Sequence, residues 1–247
     1  MSCRYRTTAG LVNLPSDLRS RLRLRAWAML VVAMCVIGGV TDAVIAEPTV
    51  EGEVRVALLS YGDGQSAECF ATGFLDLVAR EAELPVQRTF DEVALASDEL
   101  FDYPFVVFAG EGAFTLSDAE RANLGSYIEQ GGFVLASAAC SNADWSASFQ
   151  RVMVELFGDA PMQPIASEHA IYRTLYEIDR VEMRRAMPAT VAPMLGRSIN
   201  GTLRVAFSPV GLNDTDNAGG GCCCCGGNEI RNARLINANL LIYALTH

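Results

Sequence analysis

Lysine is missing from this 247-residue chain: all 19 basic residues are arginine, set against 29 acidic ones. The formal charge is −10, and residues 47–247 carry 13 arginines and 27 acidic residues, about −14. So acidic a surface repels phosphate backbones and anionic lipid, which excludes nucleic acid and membrane surfaces as partners. The apolar run at 26–40 falls short of the ~20 residues that a spanning helix needs. Neither a G-x-G-x-x-G fingerprint nor a P-loop is present, so the glycine turns Tyr61-Gly62-Asp63-Gly64 and Gly110-Glu111-Gly112 read as strand exits rather than phosphate cradles. There are no internal repeats.

What the N-terminus does contain is Arg19, Arg21, Arg23 and Arg25 ahead of that apolar run, followed by Val44-Ile45-Ala46. The pattern predicts a signal peptide over residues 1–46, cleaved near Ala46. A linker at 47–53 and one domain at 54–247 would follow. The product would be secreted or periplasmic, with no membrane span once cleaved; the alternative keeps the run as an N-terminal membrane anchor. Six cysteines remain after cleavage, Cys69, Cys140, Cys222, Cys223, Cys224 and Cys225, an even number that permits disulfides in an exported protein.

Residues 127–145, YIEQGGFVLASAACSNADW, organise the domain: a helix end, two glycines, an uncharged strand and a polar turn follow one another. Strands are predicted at 54–60, 86–90, 105–109 and 133–138, and helices at 66–84, 118–130 and 145–157, with Ser117 and Glu120 at capping-box spacing. Asn200-Gly201 signals a tight turn between strands 195–199 and 202–208, a hairpin expected at the sheet edge. Residues 229–245 suit a buried final helix, whereas 162–193 has no period. The order predicts an α/β fold, a three-layer flavodoxin-like sheet with a C-terminal hairpin and helix. In such sheets ligands gather beyond the carboxyl ends of the strands, which makes Tyr61, Asp63, Glu111, Ser137, Cys140, Ser141 and Asn142 candidate crevice residues.

Several segments occur in an order that resembles the family known as domain of unknown function 4159. They are ELFDYPFVVFAGEG (99–112), YIEQGGFVLASAAC (127–140), Glu168-His169, GRSINGTLRVAFSPVGL (196–212), and Asn239 with Tyr243. That family is itself similar to the class I glutamine amidotransferase superfamily. The resemblance implies an amidotransferase-like sheet and no settled reaction. Where relatives look to carry acidic residues after the central strand, this chain has Ser137-Ala138-Ala139, without carboxylates for a metal or acid-base role.

Three readings of function follow. The favoured one is a non-catalytic module that binds a small ligand or an envelope protein, with Cys140 buried or disulfide-bonded and His169 packed. The second is a hydrolase in which Cys140 is the nucleophile, His169 its base and Glu168 the orienting acid. It lacks the Gly-x-Cys-x-Gly elbow and the His-x-Glu order of amidotransferases. The third rests on Cys222 to Cys225, whose thiols would hold zinc or copper, or form a disulfide-locked loop with Cys140 or Cys69. Adjacent side chains on an extended segment point apart, which disfavours the metal. No cofactor is expected under the first reading.

Overall fold

Two uncharged runs, FVVFAG and FVLASA, dictate the centre of the molecule, because strands buried on both faces must be apolar at every position. In the computed structural model, which describes residues 52–62, 69–158, 162–184, 192–217 and 229–247, they form β3 (Phe105–Gly110) and β4 (Phe133–Ala138), buried throughout. Residues 1–46, where a signal peptide is expected, Asp63 and the cysteines at 222–225 lie outside the described residues.

The fold is mixed α/β, a seven-stranded sheet with four helices among the described residues. The other strands are β1 (Val56–Ser60), β2 (Asp91–Ala94), β5 (Gln163–Pro164), β6 (Leu195–Ile199) and β7 (Thr202–Ser208); the helices are α1 (Gly73–Glu81), α2 (Asp118–Glu129), α3 (Ala143–Phe157) and α4 (Ala233–Thr246). The spatial order is β2-β1-β3-β4-β7-β6-β5. β2, β1, β3, β4 and β7 run parallel, whereas β6 and β5 are antiparallel to their neighbours.

Alternation along the strands feeds two cores. Val56, Leu58, Phe105, Val107, Phe133 and Leu135 pack with α1, α4 and the segment Ile171 to Ile178. Ala57, Leu59, Val106, Phe108, Val134 and Phe207 pack on the other face with α2 and α3. There Phe108 meets Tyr61, Phe114, Trp145 and Phe149 at centroid separations of 4.4–5.7 Å. The capping box of α2 is present, and Asn142 Oδ1 caps α3 by accepting from Trp145 N at 2.9 Å.

The structure corrects one of these expectations and adds detail to two others. Strand two is Asp91–Ala94 rather than 86–90: Val86 makes an isolated bridge to Val54, and the edge strand buries Val93 alone while Asp91 pairs with Arg55. The hairpin turns through Asn200 (φ 51°) and Gly201 (φ 80°) and lies toward one end of the sheet, with only the two-residue β5 beyond β6. Val205 to Ser208 are buried, and β7 pairs with β4 on one side and β6 on the other. Finally, the segment without a period is ordered over 162–184 and runs along α4. Asn239 fixes it there, its Oδ1 accepting from Leu175 N (3.1 Å) and Tyr176 N (2.8 Å) while its Nδ2 donates to Tyr176 O (2.8 Å).

Candidate functional site

The parallel strands all point their carboxyl ends to one edge, and there the chain turns at Tyr61, Glu111, residues 139–142 and residues 209–214. Most of the side chains that the strand ends supply are engaged within the protein. Tyr61 is buried: its hydroxyl donates to Ala109 O (3.1 Å) and accepts from Trp145 Nε1 (2.6 Å). Ser137 is also fully buried, donating to Asn213 Oδ1 (2.6 Å) and accepting from Leu212 N (2.8 Å). Ser141 Oγ donates to Val210 O (2.9 Å), and Asn142 is the cap of α3. Tyr61 and Ser137 therefore brace the strand ends from beneath and do not line a crevice. Glu111 is exposed.

Cys140 occupies the turn after β4 with φ 55° and ψ 26°, and Ser141 follows at φ 57°. Two successive non-glycine residues in the left-handed region are uncommon, and such backbone strain gathers at functional and switch positions. Cys140 and Cys69 both stand as disulfide-bonded cysteines. Glu111 Oε1 lies 3.0 Å from Cys140 Sγ. A disulfide sulfur has no proton to donate, so that contact is a hydrogen bond only when the cysteine is a thiol. A carboxylate so close opposes the thiolate that nucleophilic attack requires.

His169 is at the other end of the molecule. Its ring packs on Tyr243 at 5.5 Å; Tyr243 packs on Phe133, the first residue of β4, at 6.1 Å and accepts from Leu203 N at the start of β7. Cys140 lies two positions past Ala138, the last residue of that same six-residue strand. At about 3.3 Å per residue, β4 alone holds the two ends roughly 17 Å apart. The structure does not bring Cys140 and His169 together. His169 Nδ1 accepts from Ile171 N at 3.3 Å, and burial, with His247 nearby, holds its pKa below the usual imidazole value. Glu168 is exposed and accepts from Ser167 Oγ at 2.7 Å rather than orienting the imidazole.

A polar cluster at the carboxyl end of β7 has no counterpart in the sequence reading. Asn213, Asp214 and Glu229 are buried beside the start of α4, where Asn237 Nδ2 donates to Leu212 O (2.9 Å) and Arg234 Nε pairs with Asp214 Oδ2 (3.1 Å). Asn213 and Asp214 lie in the turn that follows β7, five and six residues past its last residue, Ser208. Glu229 has no such strand-end signal, since it comes just ahead of α4 and not after a strand. Among the described residues no group of three or more His, Cys, Asp or Glu is arranged to hold a metal ion, and no helix is long and apolar enough to cross a membrane.

Residues 55–245 match the model of a family described as a domain of unknown function, DUF4159. No curated protein matches the chain.

Proposed function

This chain belongs to the DUF4159 family, and we propose that it is an exported, non-catalytic module of the bacterial envelope that binds a small ligand or a protein partner at the carboxyl edge of its sheet. The observation that carries the reading is the separation of Cys140 from His169 by the length of β4. A cysteine nucleophile needs a base within hydrogen-bond reach, and Cys140 has a carboxylate there instead. The parallel order β2-β1-β3-β4-β7 is the 2-1-3-4-5 order of flavodoxin-like sheets, which supports a fold-level kinship with class I glutamine amidotransferases. Export is supported by the arginine-led apolar run at 19–40. In that setting the cysteines hold loops together, and the strand-end turns present the binding edge.

Iodoacetamide labelling followed by peptide mass mapping tests the reading on the wild type and His169→Ala. Cys140 is expected to resist labelling until reduced. After reduction it should react at the rate of an ordinary thiol, with the same rate in His169→Ala. Rapid labelling at neutral pH that slows tenfold or more in His169→Ala would restore the hydrolase reading.

A further inference from the structure

His169 and His247 are the two histidines of the chain, and both lie against the ring of Tyr243, at centroid separations of 5.5 Å and 4.2 Å. His169 also begins the turn Ala170–Tyr172, where its Nδ1 accepts from Ile171 N at 3.3 Å. That bond needs the lone pair of Nδ1, so it holds the imidazole neutral with its proton on Nε2. The turn seats Ile171 and Tyr172, 0% and 4% exposed, in the core against α4. The next three residues are held differently. Thr174, Leu175 and Tyr176 bond the backbone and the side-chain amide of Asn239, and neither group titrates. The segment thus has one anchor that a proton can change and a second that it cannot.

We propose that His169 is an acid-sensitive clasp: protonation at Nδ1 turns the acceptor into a donor facing the Ile171 N–H, and residues 167–173 swing off α4 about the pivot at Asn239. Release uncovers Ile171, Tyr172 and the Tyr243 ring. The charged groups around the imidazole oppose a cation there or leave it unpaired. From α4 comes His247, whose proximity works against a second positive charge. From β7 comes Arg204, whose guanidinium donates to His247 O at 3.4 Å. Within the segment, Arg173 donates to Ser167 O, and the exposed Glu168 accepts from Ser167 Oγ. Among the described residues no carboxylate bonds the ring. The face of Tyr243 attracts a cation, but weakly where water has access. Burial first, and His247 second, hold the docked imidazole below its ordinary value of 6.5. The open segment therefore binds the proton more readily than the docked one, so docking is at full strength above about pH 6.5 and weakens as pH falls below it.

Amide hydrogen exchange read by NMR, corrected for its intrinsic pH dependence, tests this on the wild type and on His169→Asn, whose Oδ1 can cap the same turn without a charge. From pH 7 to pH 5 the protection of the Ile171 and Tyr172 amides should fall about three-fold or more in the wild type, under a ceiling of about 30-fold set by an ordinary imidazole. In His169→Asn it should hold within about two-fold. Amides of α2 and α3 should keep their protection in both proteins, which separates local release from global unfolding. In His247→Asn, where His169 is the one remaining histidine, its ring Cε1 proton should titrate with a midpoint below the ordinary 6.5, a readout that stands even if His169→Asn fails to fold. The proposal is overturned by an equal fall in His169→Asn, by wild-type protection that ignores pH, or by a His169 midpoint at or above the ordinary value.

Discussion

Tyr61 leaves β1 at the edge where ligands gather, and a tyrosine there invites a role in recognition. Its surroundings assign it another. The hydroxyl is held between Trp145 Nε1 and Ala109 O, under the rings of Phe108 and Phe114. Tyr61→Phe removes one atom and leaves a buried indole N–H and a buried carbonyl without that partner. The expected cost is about 1–3 kcal/mol by urea denaturation at pH 7. The pH dependence has a definite sign. Burial pushes the Tyr61 phenol up to about 12 from 10.0, although the Trp145 bond works against this. The unfolded chain therefore releases this proton before the folded one. The associated stability is fully present below pH 10 and is lost as pH rises from there toward 12. Tyr172, also raised to about 12 by burial, adds to the same loss. Urea midpoints between pH 7 and 12 should fall less steeply for Tyr61→Phe than for the wild type; parallel curves would show that this hydroxyl does not titrate as its burial requires.

At the scale of elements, the junction of α4 with residues 170–184 depends on Asn239. Its amide serves Leu175 N, Tyr176 N and Tyr176 O, and its own carbonyl accepts from Thr174 Oγ1 at 2.7 Å. Asn239→Leu fills similar space but leaves three buried backbone groups without partners, at about 1–3 kcal/mol each. A loss of roughly 3 kcal/mol or more is expected, with early protease cleavage within 170–184 while α2 and α3 stay protected. Cleavage no faster than in the wild type would mean that apolar contacts of Ile171, Leu175 and Ile178 suffice to dock the segment. The same junction explains what sequence could reveal. β1, β3 and β4 were legible because continuous apolar runs specify burial on both faces locally, and the start of α2 because Ser117 and Glu120 are three residues apart. Segment 170–178 has no period because its order comes from a side chain some 60 residues downstream. β2 hid behind Asp91 and Glu92, acidic residues that an edge strand tolerates. The hairpin signal fixes the turn between β6 and β7 and says nothing of β7's other neighbour, β4. The buried group of Asn213, Glu229 and Asn237 exists only once β7 and α4 meet, so no spacing in the chain could announce it.

Over the whole molecule, the sheet acts as a spacer between two differently built ends. The amino end closes on stacked rings, with Tyr243 between Phe133 and the two histidines of the chain. The carboxyl end holds its turns with polar bonds, positive-φ residues and oxidised cysteines. These devices differ in how they respond to reductant. Cys69 precedes α1 and Cys140 follows β4, so a disulfide there restrains segments that separate widely on unfolding, and one such bond typically contributes about 2–4 kcal/mol. For a chain of 247 residues, each kcal/mol shifts Tm by roughly 2–4 °C. Calorimetry of the protein with and without a dithiol reductant should therefore show a fall in Tm on the order of 5–15 °C. Hydrogen exchange should locate the loosening at residues 139–142 and 209–214, with β4 and the Tyr243 end still protected. A Tm that ignores reductant, with free thiols then counted at Cys69 and Cys140, would mean that the turn after β4 holds its left-handed backbone without help. Its stability would then rest on the bonds of Ser137 and Ser141 to the β7 exit, and Ser141→Ala would become the substitution that releases it.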